Sequence, residues 1–344
     1  MLPPGTMAAM THRDRRLVAG WLFLCAGLVF AIVLVGGITR LTRSGLSIVE
    51  WQPLVGALPP LSQADWQALF DAYRETPEFR LVNSAMTLAG FKTIFWWEYV
   101  HRLLARGIGL VFLLPLLFFQ STKRLDRRLA FQLWGILLLG ALQGAMGWIM
   151  VKSGLVDDPK VNPVRLMAHL GLALAIFSAE LWLAMQLLST KKIPLERLLI
   201  PALVFLMALS GGMVAGLRAG YAYNTFPLMN GHLVPPEVLM LEPWWKNFLY
   251  NMATVQLVHR AFFWTLALLI PLAWWRARHT AAGNALLAAF VLQAALGIST
   301  LLLGVPIGLG SAHQGGAVLL LGAALWYARS EKGVRTLFRT YAAA

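Results

Sequence analysis

Eight stretches of this chain are continuously apolar for about twenty residues each: 17–39, 99–120, 129–151, 166–188, 198–217, 254–275, 281–303 and 309–328. A helix needs roughly 20 such residues to cross a hydrocarbon core ~30 Å thick. Backbone in that core must satisfy its own hydrogen bonds, which leaves helices and closed barrels. The runs lack the alternation of a barrel strand, so the sequence predicts an all-α polytopic membrane protein with eight transmembrane helices. Only 13% of the 344 residues are charged, against about a quarter in soluble domains. That excludes a disordered chain, a collagen and an ordinary cytosolic enzyme. The first run is too long for a cleaved signal peptide, and Thr39-Arg40-Leu41-Thr42-Arg43 follows it in place of a small-residue cleavage site.

A net charge of +14 in so apolar a chain reads as topology, not as nucleic-acid binding, because Lys and Arg hold short loops on the inner side of a membrane. One side carries Arg13, Arg15 and Arg16, then Lys123, Arg124, Arg127 and Arg128. It continues with Lys191, Lys192 and Arg197, then Arg276 and Arg278, then Arg329, Lys332, Arg335 and Arg339. These are 16 of the 29 basic residues, and they place both termini inside. The outer side has two long loops, about 40–98 and 218–253. Within the first, Asp65–Tyr73 has helical periodicity and suits the membrane surface. The single cysteine, Cys25, excludes an internal disulfide and a thiolate metal site.

The chain repeats itself. Gly36-Gly37 is echoed by Gly211-Gly212, His101-Arg102 by His259-Arg260, Gln143 by Gln293, and His169 by His313. The offsets fall from 175 to 158, 150 and 144, as they should if the first half has the longer loops. The expected architecture is two four-helix bundles, 1–190 and 191–344, in parallel repeat about an axis along the membrane normal.

Three of the seven histidines, His12, His232 and His279, lie in loops or among basic residues and read as solvated surface. The other four, His101, His169, His259 and His313, fall near the outer ends of spans, two per half. One intramembrane histidine is explained by an interhelical hydrogen bond; four, paired by repeat, point to a ligand set. Zinc wants further protein ligands and copper is similarly short of them. Bis-imidazole haem needs two opposed histidines and small residues beside the ring, which Gly107, Gly109 and Gly171 supply in one half and Gly297, Gly315 and Gly316 in the other. Arg102 and Arg260 follow their histidines directly and suit haem propionates; the alternative for each is snorkelling to the interface.

The halves differ three residues before the first histidine of each pair: Glu98 precedes His101, and Gln256 precedes His259. A carboxylate can move protons where an amide can only hydrogen-bond, so the N-terminal site is the candidate for chemistry and the C-terminal site for a permanent haem. The alternative for Glu98 is a carboxylate placed on a helix macrodipole. The first half also has the longer outer loop, with Glu50-Trp51-Gln52-Pro53 and Pro59-Pro60, which could cover an exchanging substrate.

The chain resembles the haem A synthase family. The stretches that carry the resemblance are Gly36–Ser47, Pro77-Glu78-Phe79 with Asn83, Met86-Thr87-Leu88, and Phe91–Arg102 with its Glu-x-x-His-Arg core. Membership implies oxidation of a methyl group of haem O to the formyl group of haem A by successive hydroxylation. It implies haem O at His101 and His169, haem b at His259 and His313, and a catalytic role for Glu98. The loop cysteine pair of some bacterial members is missing, which places the chain with the proteobacterial and mitochondrial branch. The family implies a bacterial inner membrane with the haem sites near the periplasmic side. Expected partners are haem O and haem A, an electron donor, membrane lipid, haem O synthase, cytochrome oxidase assembly factors, and further copies of the chain. Two rivals stay open: a di-haem b electron-transfer cytochrome serving quinol, and a transporter built on parallel repeats.

Overall fold

A computed structural model describes residues 10–50, 55–155, 161–189 and 193–330. Trp51, Gln52, Pro53, Lys191, Lys192, Lys332, Arg335 and Arg339 lie outside the described residues. Among those described, all regular structure is helical: α1 (His12–Leu41), α2 (Gln63–Arg74), α3 (Pro77–Leu81), α4 (Leu88–Ser121), α5 (Arg127–Gly154), α6 (Pro163–Leu188), α7 (Leu199–Leu217), α8 (Ala219–Ala222), α9 (Asn247–Tyr250), α10 (Met252–Ala277), α11 (Ala281–Leu302) and α12 (Ile307–Arg329), with short 3-10 turns between some of them. Eight helices are long and apolar enough to cross a membrane, and the protein is a multi-pass membrane protein.

The chain forms two compact units, Met1–Leu188 and Ser189–Ala344. In the first, α1 packs on α4 and α6, and α5 packs on the same two helices. In the second, α7 packs on α10 and α12, and α11 packs on those two. The neighbour relations are therefore the same in each unit. Capping residues set many of the helix starts. Thr11, Thr87, Asp126, Asn251 and Thr280 each accept a backbone N–H of the first turn, filling an orphaned donor.

Most spans run within a few residues of the apolar runs, but α4 starts at Leu88, not near residue 99. Its 34 residues reach about 51 Å at 1.5 Å per residue, well beyond a hydrocarbon core. The extra turns are held by aromatic packing. Trp66, Phe70 and Tyr73 on α2 meet Phe91, Ile94, Phe95 and Tyr99 on α4 in one buried cluster. Trp66 and Phe95 lie edge to face, with centroids 4.9 Å apart. The α2 helix is real, with a capping box from Ser62 and Asp65, but its apolar face is covered by α4 and does not turn to lipid. Tyr99 closes the platform by donating its hydroxyl to the Ala57 carbonyl at 2.7 Å.

Candidate functional site

Each unit presents two span histidines, His101 on α4 with His169 on α6, and His259 on α10 with His313 on α12. The members of each pair lie within electrostatic reach of one another. Every imidazole is seated on a glycine of an adjacent helix. A Cβ on Gly36 would stand 3.0 Å from Cε1 of His101, and one on Gly147 3.2 Å from Cε1 of His169. A Cβ on Gly211 would stand 3.2 Å from Cε1 of His259, and one on Gly297 only 2.6 Å from Cε1 of His313. At such distances even an alanine requires the ring to yield. Of the glycines expected to make room, Gly297 and Gly316 lie against side chains, whereas Gly107 and Gly109 have nothing within 4 Å. Gly36, Gly147 and Gly211 are visible in sequence as repeat markers. Which ring each one faces depends on helix packing, which spacing does not encode.

The Nδ1 atoms of His101, His169 and His313 are buried without a hydrogen-bond partner, while the rings as wholes stay partly accessible. His259 differs. Its Nδ1 is 2.8 Å from Ser210 Oγ, and Ser210 donates its own hydroxyl to the Met207 carbonyl at 2.7 Å. With that hydroxyl turned to Met207, the serine oxygen is free to accept from Nδ1–H, the arrangement that leaves the lone pair on Nε2 for a metal. Aligning Gly36 with Gly211 puts Val35 opposite Ser210, so His101 has no such support. Next to His169, Gln143 Nε2 stands 3.4 Å from the ring Nε2. Its counterpart Gln293 instead donates to the His313 backbone carbonyl at 3.0 Å.

These features fit a bis-imidazole haem. The rings are paired and closely seated, and three of the four keep a buried Nδ1 with no protein partner. Among the described residues no three His, Cys, Asp or Glu side chains gather into a metal site. A porphyrin supplies four nitrogens itself and asks the protein for only two.

Around each first histidine the helix ties down its outer loop. Glu98 is the eleventh residue of α4, so the macrodipole alternative fails. Its Oε2 accepts from Ser47 Oγ at 2.7 Å and from the Ile48 N–H at 2.8 Å. Its Oε1 accepts from Arg102 Nε at 3.1 Å and Nη2 at 2.6 Å. Arg102 also donates to the carbonyls of Ile48 at 2.9 Å and Glu50 at 3.3 Å. In the second unit Gln256 Nε2 donates to the Tyr223 carbonyl at 2.9 Å. Arg260 donates to the carbonyls of Thr225 at 2.7 Å, Pro227 at 2.9 Å, Leu228 at 3.2 Å and Tyr223 at 3.3 Å. Both arginines, expected beside propionates, thus bind protein here. Arg102 is neutralised by Glu98, whereas buried Arg260 has no ion-pair partner among the described residues.

Two further carboxyls of the first unit are buried with an unpartnered oxygen. Glu78 on α3 is 4% exposed, and Glu180 on α6 is 1% exposed. Glu180 lies within electrostatic reach of Cys25. An isolated acid inside a span is the signal by which the sequence marks it. His12, His232 and His279 are exposed.

Fold and site define a polytopic membrane protein with two paired-histidine sites. Residues 19–325 match the family model described as cytochrome oxidase assembly protein. The chain is 58% identical over 326 residues to haem A synthase of Nitrosospira multiformis, covering 90% of this chain and 92% of that one. It is 51% identical over 344 residues to haem A synthase of Nitrosomonas eutropha, covering 95% and 97%. Against haem A synthase of Parvibaculum lavamentivorans it is 46% identical, covering 95% and 98%. The chain belongs to this family of cytochrome oxidase assembly proteins, the haem A synthases.

Proposed function

We propose that this protein is a haem A synthase, taking haem O as substrate at the N-terminal histidine pair and giving haem A as product. In this reading His259 and His313 hold a resident haem b. The observation that carries it is the pair of glycine-seated imidazoles in each unit, in a chain nearly as long as haem A synthases 46–58% identical to it. Bound haem b supplies reversible one-electron chemistry.

The protein's own groups then divide the work. Ser210 fixes the His259 tautomer and suits a permanent ligand. His101 lacks that brace, which suits a site where substrate must enter and leave. Glu98 and Arg102 tie Ser47–Glu50 to α4 within a turn of His101, and keep a carboxylate beside the reacting edge. In the second unit Gln256 and Arg260 do the same tying without an anion. The apolar spans keep water from the ring and accept the farnesyl tail. The concentration of Lys and Arg at the opposite ends of the spans supports an inner-membrane location with the sites near the periplasmic face. Haem O synthase, an electron donor, cytochrome oxidase assembly factors and further copies of the chain are the expected partners.

Pigment extraction from purified protein, with chromatographic separation, tests the reading. Haem b accompanied by haem O, a hydroxylated haem or haem A supports it; haem b alone in two equivalents per chain overturns it in favour of an electron carrier. Glu98→Gln is expected to lose conversion of haem O while keeping its haem b.

A further inference from the structure

Glu98, three residues before His101, has its acceptor sites filled. An ionised carboxylate has about four acceptor sites on its two oxygens. Glu98 receives four hydrogen bonds, from Ser47, Ile48 and two nitrogens of Arg102. Each bond lost from it would unpair a donor of the loop or of Arg102, whose side chain is only partly buried.

A second carboxyl, within electrostatic reach of it, is in the opposite condition. Glu78 is 4% exposed and its Oε2 has no hydrogen-bond partner. Native structures rarely leave a buried polar atom unpaired, and each such atom calls for an explanation. The fold holds Glu78 in place firmly. Thr76 caps α3, and the Glu78 carbonyl accepts from Val82 and Asn83. Asn83 in turn donates to the Tyr73 hydroxyl at 2.7 Å. The charged and titratable groups around Glu78 are Glu98 on α4, with Arg102 bound to it, Arg43 beyond α1, and Tyr73 on α2. Arg43 is exposed; no ion pair with Glu78 forms. The second unit offers no counterpart: its described acids, Glu196, Glu237 and Glu242, are all exposed.

We infer that Glu78 is the proton-holding residue of the N-terminal site, taking a proton that leaves the substrate pocket onto its free Oε2 and passing it to outer water, while Glu98 stays an anchored anion. The inference rests on the reading of the N-terminal pair as the substrate site. A proton of water or hydroxyl in the pocket leaves its O–H bond for Oε2, and the new O–H bond breaks in turn when outer water takes the proton; no electrons pass through the carboxyl. Burial, reinforced by the negative charge of Glu98 and partly offset by Arg43, pushes the Glu78 carboxyl up to about 7. A group that titrates near the working pH is best matched to proton transfer.

The test compares the full-length protein with Glu78→Gln and Glu78→Asp between pH 6 and pH 8. Turnover of haem O and the carboxylic-acid carbonyl stretch in the infrared are read together, with bound haem counted in each sample. The wild type should gain roughly tenfold in turnover as the carboxyl ionises, and a carboxylic-acid band should fade over the same interval. Glu78→Gln should lose both the rise and the band while keeping its haem, and Glu78→Asp should keep a displaced rise. If Glu78→Gln does not assemble, Glu78→Asp carries the test, and an unmoved rise overturns the inference. A wild-type rise retained in Glu78→Gln, or a wild type with no titrating band, also overturns it. A protein that binds haem but converts no haem O refutes the proposed function, and the inference with it, whatever the band does.

Discussion

The two units share their helix neighbours and their glycine-seated histidines, yet they treat charge in opposite ways. The N-terminal unit buries three carboxyls, Glu78, Glu98 and Glu180. The C-terminal unit buries no acid among its described residues. At the repeat positions of Glu98 and Glu180 it carries Gln256 and Ala324. It buries a guanidinium instead, Arg260, dissolved in four carbonyls. The second difference is the brace. His259 is fixed by Ser210, while Val35 leaves His101 with an unpartnered Nδ1. A buried acid can change its proton count, and an unbraced ligand can reorient. A braced ligand beside a fixed cation can do neither. On the proposed reading, one scaffold gives an exchanging site and a holding site by a handful of substitutions.

The largest expected effect comes from the tightest ring seat. Gly297→Leu puts side-chain atoms where His313 already stands, since even a Cβ would be 2.6 Å from Cε1. It should abolish haem retention in the C-terminal unit, read as loss of haem b per chain. The pigment of the N-terminal unit should persist. Equal loss from both units would show that the two sites do not assemble independently.

Next comes a pH dependence confined to the N-terminal unit. The Glu78 carboxyl is raised from 4.5 to about 7, so between those values the folded state holds a proton that the unfolded chain releases. Stability must then fall as pH rises from about 4.5 to 7, with the full loss present above 7. At 1.36 kcal/mol per unit the loss is on the order of 3 kcal/mol at most. Thermal unfolding of the wild type should drop over that interval, and Glu78→Gln should flatten the curve and be the more stable protein at pH 8. A wild-type curve already flat would remove the buried acid from the contrast between units.

How far the sequence carried these contrasts depends on what kind of contact makes them. The eight spans were legible because an apolar run of fixed length has one cause. The four histidines, Glu98 and Gln256 were legible because a repeat exposes its own exceptions. The start of α4 at Leu88 was not, since Phe91 and Phe95 extend the helix by packing on α2, a tertiary effect. Nor was the brace on His259: Ser210 sits in an apolar run 49 residues away, and only helix packing brings it to Nδ1. Glu78 appeared in the family motif, but nothing in Pro77-Glu78-Phe79 says that its carboxyl is buried.

The brace itself is exchangeable. Ser210→Val removes the acceptor of Nδ1–H and should weaken haem retention at His259 roughly tenfold to a hundredfold, the usual cost of losing an outer hydrogen bond to a ligand histidine. Val35→Ser offers the missing acceptor to His101 and should slow release of pigment from the N-terminal unit. Both are read from haem loss to an apoprotein acceptor. If the swap moves neither rate, the two sites differ for reasons other than ligand support.

The smallest effects separate glycines that seat a ring from those that do not. Gly107 and Gly109 lie inside α4 with nothing within 4 Å of a Cβ. Alanine there adds no contact and relieves the backbone freedom that makes glycine about 0.5–1 kcal/mol worse in a helix. Haem content should stay unchanged, and the unfolding temperature should hold or rise slightly. Gly147→Ala, on the neighbouring α5, meets His169 at 3.2 Å and should shift the spectrum of the N-terminal pigment although the residue added is the same. Since each substitution adds one identical methyl group to a glycine of α4 or its neighbour α5, a difference between them points to the imidazole that Gly147 alone of the three faces.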